Sequence, residues 1–133
     1  MIKVQASCLI YGKSFSPRKF ENKTGLKLSQ TNEKGDIGKV GKSRNKPMPY
    51  GSGILEFPED EKFALSSESK LLKALTGFIE EAKVAGAEDI DMYLNVEYTD
   101  QCNFTLEPEF LKIVSQLSIP VSISCYPASS EEV

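Results

Sequence analysis

No histidine and no tryptophan occur in this chain of 133 residues. The first absence excludes the more chemistry. Without an imidazole the chain lacks the usual general base near neutral pH, the Ser-His and Cys-His nucleophile pairs, and the commonest transition-metal ligand. The cysteines do not make up the deficit. Cys8, Cys102 and Cys125 are widely spaced and odd in number, and no Cys-x-x-Cys pair is present. A zinc site would need all three plus a carboxylate, an uncommon ligand set. They read instead as two buried thiols on strands and one in a loop, and no metal or other cofactor is expected. Also missing is any apolar run approaching the roughly 20 residues that span a bilayer. The opening MIKVQASCLIY alternates apolar and polar residues where a signal peptide would form an apolar block, so it reads as mature structure. The expected setting is the cytoplasm, with no membrane partner.

What is present fits one globular domain over 1–133, with a long basic loop at about 30–50 and a frayed tail at 127–133. Charge is divided along the chain. Residues 1–50 hold 11 Lys+Arg against 3 Asp+Glu, a net +8; residues 51–133 hold 5 against 16, a net −11. That asymmetry suggests an acidic face and a basic segment with different roles, unless the halves interleave in the fold and neutralise each other.

Hydrophobic periodicity sets the elements. Ile2, Val4, Ala6, Cys8 and Ile10 alternate with Lys3, Gln5, Ser7, Leu9 and Tyr11, the period of a half-buried strand. Ser16 as N-cap, Pro17 in the first turn and Gly25 as the stop predict a short helix over Pro17–Thr24, anchored by Phe20. Leu26-Lys27-Leu28 could be a brief strand. From Gln30 to Pro49 periodicity is lost, apart from a short strand expected near Ile37–Val40. Gly51–Phe57 reads as a strand. Leu71, Leu72, Leu75, Phe78, Ile79, Ala82 and Ala85 then form one stripe of a long helix from Ser67 to Ala85. Gly77 lies inside that helix, tolerable if it lets a neighbour approach. The strand Ile90–Tyr98, a helix capped by Thr105 and the strand Val121–Tyr126 complete the order. Three one-sided helices and cleanly alternating strands predict an α+β two-layer sandwich: a mostly antiparallel or mixed sheet of about four to five strands, with three helices on one face.

Few residues offer catalysis. Gly41-Lys42-Ser43 resembles the end of a phosphate-binding P-loop, but Asp36 stands where the first glycine belongs, and Pro47 and Pro49 interrupt the helix that should follow. Carboxylates cluster from Asp89 to Glu109, yet Asp91 and Glu97 fall on the outward side of a strand, where solvated acids are expected. The chain therefore reads as non-enzymatic. The basic residues Lys34, Lys39, Lys42, Arg44 and Lys46 could serve a ligand- or nucleic-acid-binding accessory domain. Against nucleic acid stand the overall acidity and the lack of interleaved aromatics before Tyr50.

A strand followed by Ser16-Pro17-x-x-Phe20, then Thr24-Gly25-Leu26 and Lys34-Gly35-Asp36, then strand, Leu-rich helix, strand, short helix and a closing strand ending in Tyr126, resembles an uncharacterised bacterial domain family. Its members include small immunity proteins of polymorphic-toxin and contact-dependent growth inhibition loci. Gly53-Ile54-Leu55-Glu56-Phe57 stands where that family often carries a tryptophan. The resemblance implies an immunity protein that binds and blocks a cognate toxin domain, often a nuclease. Complementary charge would steer such binding, and tyrosines commonly anchor interfaces. On that reading the partner-binding residues are Asp89, Asp91, Tyr93, Asn95, Glu97, Tyr98, Asp100, Glu107 and Tyr126. Ser122 and Ser124 would share the same open side.

Overall fold

The N-terminal alternation becomes the longest strand of the fold. In the computed structural model, which describes residues 2–57 and 70–129 apart from the side chains of 70–76, Ile2–Gly12 forms β1. Its even-numbered residues from Val4 to Gly12 are buried and its odd-numbered ones half-buried. Helix α1 (Pro17–Thr24), strand β2 (Ser29–Asn32), a single 3-10 turn at Gly41–Ser43, strand β3 (Gly51–Glu56), helix α2 (Lys70–Val84), strand β4 (Asp89–Tyr98), helix α3 (Pro108–Gln116) and strand β5 (Val121–Pro127) follow. The five strands form one mixed sheet in the order β2-β3-β1-β4-β5, in which β2 and β3 are antiparallel and β4 and β5 parallel. The architecture is the expected α+β sandwich of a sheet with helices. Among the described residues no helix is long and apolar enough to cross a membrane.

The chain divides into two compact units, one of Met1–Ser7, Glu56–Thr76 and Asp91–Val133, the other of Cys8–Leu55 and Gly77–Ile90. In the second unit, Cys8 and Ile10 on β1 and Leu55 on β3 are buried, as are the aromatic rings of Phe15, Phe20 and Phe78. Phe20 anchors α1 as expected, with its ring 6.2 Å from Phe15 and 6.2 Å edge-on from Phe78. Ile79, Ala82 and Ala85 continue the α2 stripe into this core. The start expected for α2 at Ser67 lies outside the described residues. In the first unit, Val4 and Ala6 of β1, Met92, Leu94 and Val96 of β4, Phe110 and Val114 of α3, and Ile119 are buried.

Helix α1 starts and stops where its sequence directs. The Lys19 N–H donates to the Ser16 hydroxyl at 3.2 Å, and Gly25 closes the helix at φ 75 with its N–H on the Glu21 carbonyl. The brief strand expected at Leu26–Leu28 is displaced to Ser29–Asn32. The Leu26 N–H donates to Thr24 Oγ1 at 3.1 Å and the Leu28 N–H to Glu21 Oε2 at 2.9 Å, so side chains take the donors a ladder would need.

Three further expectations are corrected. Helix α3 begins at Pro108 with Glu107 at its N-cap and no side-chain cap bond, so Thr105 lies outside the helix. Pro108, at the first helical turn, sets that boundary. Gly77 is exposed, and a Cβ there would meet nothing within 4 Å, so it serves no close approach. On β5 the expected inward residues are not buried: Val121 is half-buried, Ile123 is 42% exposed and Cys125 is exposed. β5 is an edge strand, with a neighbouring strand on one side only. Its end is held by the Ala128 N–H on the Tyr98 carbonyl at 2.8 Å; the remainder of the expected tail, 130–133, lies outside the described residues.

Candidate functional site

Strand β4 separates its residues by parity. Ile90, Met92, Leu94 and Val96 are buried, while Asp91, Asn95 and Glu97 are half-buried and Tyr93 is 38% exposed. The parallel register then aligns a second row beside the outward one: Tyr93 with Ser122, Asn95 with Ser124, and Glu97 with Tyr126. Residues paired in this way project from the same side of a sheet, from strands about 4.8 Å apart. Tyr126 is 45% exposed, and Ser122 and Ser124 are exposed. The sheet thus brings Tyr93, Asn95, Glu97 and Tyr126 together within one unit, with Asp91 on the same side of β4. The surface combines two phenols, an amide, carboxylates and serine hydroxyls. Such a surface accepts and donates hydrogen bonds and offers aromatic area, which suits recognition.

Other predicted residues fall elsewhere. Tyr98 has the parity of Val96 and pairs with Pro127, so it belongs to the opposite side of β4 from Tyr93. Asp100 is exposed in the segment after β4, where the Asn103 amide donates to Gln101 Oε1 at 2.9 Å. Glu107 is half-buried at the N-cap of α3, where a negative charge is favoured by the helix dipole. Asp89 is exposed but belongs to the other unit. Among the described residues, no three His, Cys, Asp or Glu side chains gather as for a metal ion.

The basic stretch is better ordered than its composition suggested. The Gly35 N–H donates to the Met48 carbonyl at 2.8 Å and the Met48 N–H to the Asp36 carbonyl at 2.7 Å; Gly38 and Lys46 are joined by a bond of 2.9 Å from the Gly38 N–H. Asn32 Nδ2 donates to the Tyr50 carbonyl at 2.8 Å and Ser52 Oγ to Asn32 Oδ1 at 2.5 Å, which closes the base of the excursion. The strand expected near Ile37–Val40 reduces to isolated bridges, Ile37 with Pro47 and Gly38 with Arg44. Pro47 has no N–H to donate, so a ladder cannot extend through it. Lys34, Lys39, Lys42, Arg44 and Lys46 lie on this excursion; Lys39, Lys42, Arg44 and Lys46 belong to its outer part, between Gly38 and Pro47.

Sequence reasoning missed an influence of one thiol on another. Cys102, half-buried in the segment after β4, has its thiol held above its ordinary range, first by the neighbouring Cys125 side chain on β5 and then by burial. Cys8 is fully buried as expected, and burial pushes its thiol up to about 12. Only the linear separation of Cys102 and Cys125 was visible in the sequence; the course of the segment carrying Cys102 was not. Comparison with protein-family models, with curated proteins and with solved structures finds no match to this chain.

Proposed function

We propose that this chain is a non-enzymatic immunity protein, acting in the cytoplasm, that binds and neutralises a cognate bacterial toxin domain. A nuclease is the toxin activity that best fits an acidic partner, because nucleases present basic surfaces to their substrate. The observation that supports the reading is the aligned outward row on β4 and β5, with Tyr93 and Tyr126 exposed and Glu97 in register with Tyr126. The net charge of −11 on residues 51–133 would steer a basic partner. Binding then blocks the toxin by occupying its surface, and no bond is made or broken.

The test mixes the full chain with the toxin domain encoded beside its gene. Co-elution as a one-to-one complex on size exclusion, with loss of toxin activity, is expected. Separate elution with toxicity unchanged would overturn the reading.

A second reading rests on the ordered basic excursion and its cations Lys34, Lys39, Lys42, Arg44 and Lys46. It makes the chain a ligand- or nucleic-acid-binding accessory domain. Replacing Lys39, Lys42, Arg44 and Lys46 by Ser would then abolish nucleic-acid binding and flatten its salt dependence. Binding that survives these substitutions would reject the excursion as the site.

A further inference from the structure

Strand β5 pairs with β4 on one side, and the bonds at its two ends show which of its backbone groups that pairing uses. The Met92 N–H donates to the Pro120 carbonyl at 3.0 Å, and the Ala128 N–H to the Tyr98 carbonyl at 2.8 Å. In a regular ladder the N–H and C=O of one residue point to the same side, and successive residues alternate. Ser122, Ser124 and Tyr126 therefore bond to β4. Val121, Ile123 and Cys125 turn their N–H and C=O groups away from it, on a strand that ends the order β2-β3-β1-β4-β5.

Edge strands are commonly blunted by charge, shortness or irregularity. β2, at the other end of the order, has four residues, a register shift between Ser29 and Asn32, and φ 48 at Gln30. β5 has seven residues, and no charged side chain occurs from 117 to 129. Ile123 is 42% exposed and Cys125 is exposed, although they pair with the buried Leu94 and Val96.

We propose that β5 is the interface between two copies of this chain, joined edge to edge as an antiparallel pair about a two-fold axis at Ile123. That register uses all the open residues of both copies. Ile123 faces the second copy's Ile123, and Val121 faces the second copy's Cys125, each pair exchanging both N–H···O bonds. The next pair outward would join Ile119 to Pro127, and neither has an N–H to give. The Ile119 N–H is held by the Val114 carbonyl at 2.9 Å, and Pro127 has none. The ladder is closed at both ends. At the axis the two isoleucines cover each other, with Cα atoms about 5.5 Å apart. The lack of charge from 117 to 129 spares two acidic chains a like-charge contact there. A two-fold contact consumes the open β5 edge of both copies, so growth through it stops at two. Edge pairing leaves the sheet faces as they were, and the inference does not depend on the toxin-binding reading.

The experiment follows the full chain, with a thiol reductant present, by analytical ultracentrifugation and by amide hydrogen exchange in NMR. Concentrations run from about 10 μM to about 1 mM, the range in which a small edge contact assembles. The sedimenting mass should rise towards that of two chains. Over the same range, exchange at the Val121, Ile123 and Cys125 amides should slow by roughly tenfold or more, while the Ser122 and Ser124 amides, bonded to β4, should exchange slowly throughout. Ile123→Lys, which sets two ammonium groups against each other at the axis, should fold, stay monomeric and lose this protection. A mass of one chain at every concentration would overturn the proposal. So would a dimer in which those three amides stay fast, since its contact lies elsewhere, or a dimer that survives in Ile123→Lys. The wild-type exchange pattern decides the outcome if the variant does not fold.

Discussion

The Ser16 hydroxyl donates to Glu33 Oε1 at 2.9 Å, so the base of the basic excursion is tied to the N-terminus of α1. The same carboxylate oxygen accepts from the Arg18 N–H at 3.1 Å, while Ser16 Oγ accepts from the Lys19 N–H at 3.2 Å. Two backbone donors that the first helical turn leaves open are satisfied, one by each side chain, and the carboxylate complements the positive helix end. Ser16→Ala should therefore destabilise the protein by about 1 kcal/mol. Glu33→Ala should cost a similar amount, and the double variant should cost less than the sum by roughly 0.5 kcal/mol or more. Urea unfolding of the four proteins measures this coupling. Strict additivity would mean that Glu33 does not act through Ser16.

Gly77 offers an opposite test. It interrupts α2 with no residue crowding its Cα, so an added methyl finds open space. Glycine in a helix interior costs about 1 kcal/mol relative to alanine, through backbone freedom lost on folding. Gly77→Ala should raise stability by roughly that amount, read as a higher thermal midpoint with unchanged binding. A fall in stability would show that something does approach this face of the helix.

Cys8 should make stability depend on alkaline pH. Its folded-state thiol titrates at about 12, against an ordinary 9.0, because burial disfavours the thiolate. Below about pH 9 both states are protonated and the stabilisation is fully present. From 9 towards 12 the unfolded chain ionises and the folded one does not, so stability falls as pH rises. The unfolded chain gains about 1.4 kcal/mol over the folded one for every pH unit crossed, so the loss across the whole window is on the order of 4 kcal/mol. Cys8→Ala should remove this slope while lowering stability at neutral pH through the small cavity it leaves. Denaturant midpoints from pH 7 to pH 10.5 for both proteins provide the comparison. Parallel curves would show that Cys8 is not the responsible group.

Local rules carried the parts of the fold that depend on neighbours in sequence. Alternation placed β1 and β4 with the correct buried parity, and Ser16, Pro17 and Gly25 placed α1. Failures came where distant groups competed for the backbone. Glu21 and Thr24 took the donors of Leu28 and Leu26, so β2 began later than its leucines suggested. The alternation of Val121, Ile123 and Cys125 implied a buried side, but alternation carries no information on whether a strand ends at the sheet edge. Of the proposed recognition residues, Tyr93, Asn95, Glu97 and Tyr126 were legible because parity and a parallel register suffice to align them. Tyr98 was misplaced within the set, since its own parity assigns it to the other side of β4. The influence of Cys125 on Cys102 was not legible, because it depends on the course of an irregular segment.

The recognition face yields the last prediction. Tyr93 and Tyr126 each expose large aromatic side chains from strands that are already ordered, so they can be buried by a partner at little entropic cost. Tyr93→Ala and Tyr126→Ala should each weaken the complex with the toxin domain by roughly 2 kcal/mol, about 30-fold, mostly through faster dissociation. Neither should alter thermal stability appreciably, because both side chains are exposed. Asp100→Asn, which removes an exposed charge, should instead slow association, and the difference from wild type should shrink as salt is raised. Surface plasmon resonance at two ionic strengths separates these effects. If the tyrosine variants bind as wild type while the serine substitutions in the basic excursion abolish binding, then the partner is captured by the cations of residues 34–46 and the sheet face is not the site.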